Sequence, residues 1–145
     1  MLISRRFLSA LFAATTIAQL GFAGFVMAET GNIELELNTA NDEGQGCRLT
    51  YVATNNTSIP LEKSSYEVAV YNAEGIVQRL LVLEFGWLPV GKTRVVQFDL
   101  PEQECATISR ISVNGPVECA SEQGAQDVCR DNQLLSSRVR TIQFN

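Results

Sequence analysis

Histidine is absent from this 145-residue chain, and its only two methionines are Met1 and Met27. Without an imidazole the chain has no Ser-His-Asp or Cys-His nucleophile system and no side chain poised as a general base near neutral pH. The same count excludes copper carriage through methionine or histidine ligands. Carboxylates are the one catalytic residue type in supply, and a glycosidase-type pair needs a cleft that a small β-sandwich seldom leaves. We therefore predict that the chain is not an enzyme and that it binds no cofactor or metal.

Basic residues are scarce as well. Eleven lysines and arginines stand against sixteen aspartates and glutamates, which gives a formal net charge of −5. The first 28 residues hold two of the basic residues, Arg5 and Arg6, and no acidic one, so residues 29–145 carry a formal charge of −7. A domain this acidic has no electrostatic footprint for nucleic acid or for an anionic membrane surface. We exclude both as partners.

The first 28 residues have the parts of an export signal. A basic start ending in Arg5 and Arg6 precedes an apolar run over residues 7–26, and Val26 and Ala28 are small residues at the two positions that a signal peptidase inspects. A transmembrane anchor is the alternative, but polar residues and glycines dilute the run and no basic cluster follows it. We predict a signal peptide over residues 1–28, cleaved after Ala28.

The export route stays open. The arginine pair partly fits a twin-arginine signal, but the following Phe7 and Leu8 come one position early, so the general secretory route is an equal alternative. Both routes end outside the cytoplasm. We therefore expect a single domain over residues 29–145 that is periplasmic or secreted in a bacterium and does not contact the membrane after cleavage.

All four cysteines follow the predicted cleavage point, at Cys47, Cys105, Cys119 and Cys129. An even number of cysteines in an exported chain is typical of disulfides. Three pairings are possible, and we favour Cys47 with Cys105 and Cys119 with Cys129. A zinc site is the alternative, but the spacing from 119 to 129 exceeds that of a zinc knuckle and no histidine can complete the ligand set.

Alternation of apolar and polar residues dominates the chain after residue 29, and no segment keeps a helical stripe over three turns. Seven short strands separated by turn signals predict an all-β, immunoglobulin-like two-sheet sandwich, with a small barrel as the alternative. A polar loop is expected over 39–46 and a long disulfide-closed loop within 115–136, with a helical turn near 126–129. The seven predicted strands are 33–37, 47–55, 65–72, 76–85, 93–100, 107–114 and 137–144.

The segment from Gly86 to Thr93 fits the phosphate-binding pattern GxxxxGK[ST]. That loop needs free backbone N–H groups before a helix, whereas a strand follows Thr93 and Pro89 has no N–H. We reject the pattern and predict a β-turn with Pro89 at its second position and Gly91 at its fourth. Trp87, the only tryptophan, is expected to pack in the core or at an edge, and an exposed contact residue is the alternative.

The neighbouring acids Asp42 and Glu43 could suggest calcium, but their spacing lacks the alternating ligands of a calcium loop. We expect a solvated turn there.

Several short motifs in the chain resemble those of an uncharacterised family of proteobacterial proteins that carry a twin-arginine signal and a small immunoglobulin-like domain. The resemblance covers nearly all of the chain after the predicted signal, including the cysteine positions. It implies a fold and an exported location but no activity, so it assigns no functional residue. The motifs are Val52-x-x-Asn55-Asn56-x-Ser58, Val68-x-Val70-Tyr71-Asn72-x-Glu74-Gly75-x-Val77, Leu88-Pro89-x-Gly91-x-Thr93, Phe98-Asp99-Leu100 and Ser136-Ser137-Arg138.

The sequence thus favours an exported, non-catalytic protein-interaction module whose partner is an unknown protein. Recognition would fall to loops, because the inner faces of a sandwich are filled by the core. The candidate loops are the one between Cys119 and Cys129 and the turn that carries Trp87 and Pro89. The alternative function is inhibition of a secreted or periplasmic hydrolase by one of these loops.

Overall fold

Almost all regular structure in the computed structural model of this chain, which describes residues 31–145, is β-strand. The predicted signal peptide over 1–28 lies outside the described residues. Two short helical pieces interrupt the strands, a 3-10 turn at Cys105–Thr107 and a single α-helical turn, α1, at Val128–Asp131. The nine strands are β1 Ile33–Glu43, β2 Gly46–Asn55, β3 Lys63–Tyr71, β4 Val77–Glu84, β5 Thr93–Pro101, β6 Arg110–Ser121, β7 Gly124–Ala125, β8 Gln133–Ser137 and β9 Gln143–Phe144.

The strands form two sheets, and this confirms the predicted all-β sandwich. The first sheet has the order β5-β2-β1-β8, and the second has the order β4-β3-β6-β7 with β9 paired to β6. As in an immunoglobulin constant domain, the first, second and fifth strands share one sheet and the third and sixth share the other, but β4 lies beside β3 instead of joining the first sheet. The end of the chain differs, because β8 pairs in parallel with β1 and β9 in parallel with β6. The immunoglobulin-like assignment therefore stays a prediction.

The core consists of the inward-facing residues of the predicted alternating strands. One face is buried along β2 and β3 and along residues 33–37 of β1, as the period of two predicts. Four aromatic rings meet at the centre with edge-to-face geometry, and the ring centroids of the contacting pairs lie 5.2–6.2 Å apart. The buried residues of these strands are Ile33, Leu35, Leu37, Cys47, Leu49, Tyr51, Ala53, Tyr66, Val68 and Val70, and the rings around Tyr51 are Phe85, Phe98 and Phe144.

The alternation in β4 changes phase at a bulge. The sequence places Val77 inward with Leu81 and Leu83, but Val77 is exposed. Val70 pairs with Arg79 and Tyr71 with Val77, so Gln78 is an extra residue in the strand. An extra residue moves the side chains before it to the opposite face. The prediction was therefore right for the second half of β4 and wrong for Val77.

The predicted polar loop over 39–46 was wrong. Residues 39–43 continue β1, and they pair with the start of β2 through Glu43 and Gly46. Gly44, at the tip, has a φ of 62°, which suits glycine. The sequence does not indicate this hairpin, because its side chains are polar and exposed. Backbone hydrogen bonds hold the two strands together, and these need no apolar face.

The predicted long connection over 115–136 was also wrong. Strand β6 continues to Ser121 along β3, and bulges near Pro116 and Gly115 absorb residues that seldom occur in strands. The predicted helical turn is α1, and β8 follows it beside β1. The predicted strand 107–114 begins only at Arg110, and the predicted strand 137–144 is replaced by the separate strands β8 and β9.

The disulfides Cys47–Cys105 and Cys119–Cys129 are both formed, which is the pairing that we favour from the sequence. The first joins β2 to the 3-10 turn after β5, and the second joins β6 to α1. No cysteine is left free. Across residues 31–145, no helix is long and apolar enough to cross a membrane.

Candidate functional site

The turn from Gly86 to Thr93 connects the two sheets and does not form a phosphate-binding loop. A phosphate-binding loop would lead into a helix at Thr93, but strand β5 begins there, as we predict from the sequence. Leu88, in the middle of the turn, is fully buried and forms an isolated bridge with Leu61. The turn is therefore pinned to the core through one of its own residues.

The β-turn within this segment is shifted from its predicted position. The N–H of Lys92 donates to the carbonyl oxygen of Pro89 at 3.2 Å, so Pro89 occupies the first position and Gly91 the third. Gly91 has a φ of 67°, which the third position of a type II turn requires. The predicted second and fourth positions were wrong by one residue, because the proline preference at the second position is only statistical.

Buried Asn55, at the end of β2, holds this turn in place. Its side-chain amide donates to the carbonyl oxygens of Leu88 at 2.9 Å and Ile59 at 2.8 Å. Its Oδ1 accepts from the N–H and the hydroxyl of Thr57 at 3.0 and 2.7 Å. The backbone carbonyl of Asn55 also accepts from the N–H of Gly91 at 2.7 Å. One side chain thus satisfies four polar groups and ties two loops to the sandwich.

Trp87 projects from this anchored turn with 55% of its surface exposed. The expectation of core or edge packing was therefore wrong, and the exposed alternative applies. Its neighbour Leu88 takes the buried position instead, because successive residues of extended backbone point to opposite sides. The guanidinium of Arg94 donates to the carbonyl oxygen of Trp87 at 3.0 Å and so fixes the backbone beneath the ring.

A hollow of about 510 Å³ lies beside the indole. Its exposed lining is mostly apolar, and the two charged residues at it, Lys92 and Arg94, are both basic. A basic rim is unusual on a chain with a net charge of −5. The lining residues are Trp87, Pro89, Lys92, Thr93 and Arg94.

The loop between Cys119 and Cys129 has a different chemistry. It folds as a small hairpin of β6 and β7, in which the hydroxyl of Ser121 accepts from the side chain of Gln126 at 2.9 Å. Its exposed tip, residues 122–125, carries small and polar side chains only. This loop therefore lacks the large apolar anchor that the Trp87 turn has.

A second hollow, of about 760 Å³, lies near the start of β4 and gathers three glutamates that pattern reasoning did not connect. Glu74, Glu102 and Glu104 are all exposed, and Arg79 is beside them. The hollow thus lacks the desolvated acid of glycosidase-type catalysis. Only the turn signals around Glu74 and the Pro-Glu-Gln-Glu run could have suggested it.

Asp42 and Glu43 have structural partners. The carboxylate of Asp42 accepts from the N–H of Cys105 at 2.8 Å, and Glu43 lies 3.6 Å from the guanidinium of Arg48. Over the described part of the chain, no group of three or more histidine, cysteine, aspartate or glutamate residues is arranged to hold a metal ion.

The fold and these surfaces define a β-sandwich with two disulfides and an exposed tryptophan on an anchored turn. The chain matches no protein-family model, no curated protein and no solved structure.

Proposed function

We propose that this protein is an exported, non-catalytic interaction module that binds a protein partner through the turn carrying Trp87 and Pro89. The observation that carries the proposal is the exposed indole on a turn whose backbone is held by Asn55 and Arg94. Tryptophan is enriched among residues that dominate binding energy. A turn that is already ordered also loses less conformational entropy on binding than a flexible one.

The proposed partner surface has a definite chemistry. The hollow beside Trp87 suits an apolar side chain, and the basic groups of Lys92 and Arg94 at its rim suit carboxylates. We therefore propose a partner that presents an apolar side chain bordered by aspartate or glutamate. Because the rest of the chain is acidic, this rim would also orient the partner during encounter.

Three features support an exported, non-catalytic protein. The first 28 residues carry the parts of an export signal, and both disulfides suit an oxidising compartment. With no histidine in the chain and every cysteine paired, neither an imidazole nor a thiolate is present for nucleophilic catalysis. We propose the bacterial periplasm or the surrounding medium as its location.

The direct test is capture of partners from the periplasmic fraction with the wild-type protein and with Trp87→Ala. We expect Trp87→Ala to fail to capture a protein that the wild type captures. The substitution should weaken binding by about 2 kcal/mol or more, because the indole is the central anchor. Leu134→Ala is the matched control, since Leu134 is 48% exposed and lies on β8. Strand β8 is the edge of the first sheet opposite to β5, which follows the Trp87 turn. Equal capture by all three proteins would contradict the proposal.

The anchored turn also favours the alternative function, inhibition of a secreted or periplasmic hydrolase. An inhibitory loop must keep its shape inside an active site, and the four hydrogen bonds of the Asn55 side chain serve that need. This alternative predicts that the captured partner is a hydrolase and loses its activity at a one-to-one ratio. A captured partner without hydrolase activity would exclude it and leave the interaction module.

A further inference from the structure

The free edge of β4 is an exposed apolar surface that belongs neither to the Trp87 turn nor to the core. Strand β4 ends its sheet, and no strand of residues 31–145 pairs with its outer edge. Four of the nine large apolar side chains that are exposed in the described chain lie between residues 76 and 82. They are Ile76, Val77, Leu80 and Val82.

Backbone groups along this edge point away from the sheet. The N–H of Phe85 donates to the carbonyl oxygen of Ser64 on the β3 side at 2.9 Å. Because backbone groups alternate in direction along an antiparallel strand, Leu83 and Leu81 also face β3. The N–H and C=O groups of Leu80, Val82 and Glu84 therefore face the free edge, and the bulge at Gln78 limits the regular part to residues 79–84.

The edge is also poorly protected when it is compared with β5, the free edge of the other sheet. On β5 the outward side chains of Thr93, Gln97 and Asp99 hydrogen-bond to β2, which leaves Val95 as the one exposed apolar residue of that face. On β4 the outward residues Leu80 and Val82 are 60% and 42% exposed and form no polar contact. Natural edge strands usually carry charges or proline at such positions.

We propose that β4 pairs antiparallel with β4 of a second copy of this chain, about a twofold axis beside Leu81. This register places Leu80 directly opposite Val82 of the second copy, and Val82 opposite its Leu80, so that both apolar residues find apolar neighbours on one face. These two residues also carry the free backbone groups, and each opposed pair would exchange two hydrogen bonds. The inference is independent of the function proposed for Trp87.

Neighbouring registers are less favourable. An axis beside Val82 places Leu80 opposite Glu84 of the second copy, so the apolar side chain meets a carboxylate instead of an apolar neighbour. An axis beside Leu80 places Val82 opposite Gln78, the extra residue of the bulge. In the Leu81-centred register the strand's own sequence supplies an apolar partner for both Leu80 and Val82, and for this reason we commit to a second copy rather than a foreign strand.

The proposal is tested by sedimentation equilibrium of the product of the full gene. We expect the average mass to rise towards twice the monomer mass over about a hundredfold range of concentration that reaches about 1 mM, because one strand edge is a small interface. Added salt should strengthen association, since both copies are acidic. A constant monomer mass over this range would overturn the proposal.

Paired variants test the register. Leu80→Lys with Val82→Lys would place like charges opposite each other and should abolish the dimer. Leu80→Lys with Val82→Glu would place opposite charges together at both pairs and should keep the dimer, whereas the Val82-centred register would set the two introduced glutamates against each other. Loss of the dimer in both variants, with an unchanged circular dichroism spectrum, would contradict the Leu81-centred pairing.

Amide hydrogen exchange gives a readout in the unmodified protein. Exchange of the Leu80 and Val82 amides should slow at least several-fold as concentration rises, while the Val95 amide on the free edge of β5 stays unchanged. Val82→Pro should abolish association without removing a hydrogen bond to β3, and Val95→Pro on β5 is its matched control. Equal protection of both edges would overturn the assignment to β4.

Discussion

Asn55 shows how one buried polar residue organises the surface that we propose for binding. Its side chain is buried at the edge of the core and forms hydrogen bonds with two donors and two acceptors of the loops around it. A buried amide is stable only when such partners are present, because desolvation of an unpaired group is costly. The position of Trp87 therefore depends on a residue that does not itself face the partner.

Replacement of this residue gives the first prediction. Asn55→Ala should lower the free energy of unfolding by about 2–4 kcal/mol, because it removes the four hydrogen bonds of a buried side chain and leaves the buried N–H of Thr57 without an acceptor. Asn56→Ala is the control, since the Asn56 side chain is exposed and bonds only to exposed groups of Asn32 and Glu34. Its effect should stay within about 0.5 kcal/mol in urea unfolding. Equal losses for the two variants would contradict the anchoring role.

Two buried tyrosines give a prediction at alkaline pH. Burial raises the pKa of the Tyr51 and Tyr66 hydroxyls well above their usual value near 10. The folded state therefore keeps both phenols neutral while the unfolded chain ionises, so stability is complete below about pH 10 and falls as the pH rises above it. Urea unfolding at about pH 11 should show a loss of about 1 kcal/mol for each tyrosine relative to about pH 9.

The tyrosine prediction has a specific control. Tyr51→Phe removes one ionisable group from the core, so the variant should lose less stability between the two pH values than the wild type. The same pH dependence in the variant would show that Tyr51 is not the cause.

At the scale of elements, the sequence predicted well wherever a strand buries one face. The alternation in β1, β2 and β3 identified their inward residues, since a one-residue shift would expose all of them. The alternation did not identify strands that are held only by backbone pairing with a neighbouring strand. The exposed arms of the hairpin at Gly44 and the second half of β6 carry no apolar stripe, and only their neighbours in space reveal them.

The candidate site was predicted in part. The only tryptophan, on a turn between two strands, was a visible candidate for contact, but its exposure depends on Leu88 taking the buried place. No local pattern indicated the contact between Asn55 and Leu88, because these two residues lie 33 positions apart along the chain. The free edge of β4 was missed for a similar reason: strand order in a sheet is a property of topology and not of local pattern.

The two disulfides differ in the elements that they constrain. Cys47–Cys105 spans 58 residues and closes a loop that contains β3, β4 and β5, whereas Cys119–Cys129 spans 10. Removal of the first by Cys47→Ala with Cys105→Ala should cost about 4 kcal/mol, and removal of the second by the corresponding pair about 3 kcal/mol, because the longer loop loses more entropy when closed. Urea unfolding of both double variants measures the difference. A larger loss for the short loop would contradict this ranking.

For the whole molecule, the sandwich separates its surfaces by chemistry. Tyr51 and its neighbouring rings fill the core, and most of the large apolar side chains that stay exposed lie at the Trp87 turn and at the edge of β4. These two surfaces offer distinct modes of association. The first suits a different protein that presents an apolar side chain bordered by carboxylates, and the second suits an extended strand of the same sequence.

The proposed export is tested on the whole chain. We expect the N-terminal sequence of the protein recovered from the periplasm or medium to begin at Glu29, after cleavage behind Ala28. Both disulfides should then be formed without added oxidant, as thiol titration of the unfolded protein would measure. Recovery of an uncleaved, cytoplasmic protein with four free thiols would contradict this location.

Site-specific photo-crosslinking measures whether Trp87 touches a partner protein in the cell. A photoreactive amino acid placed at position 87 should yield a covalent adduct with one protein after irradiation of living cells. The same amino acid at position 134, where Leu134 is similarly exposed, should not. An adduct that forms equally at both positions, or at neither, would contradict the assignment of the Trp87 turn as the binding site.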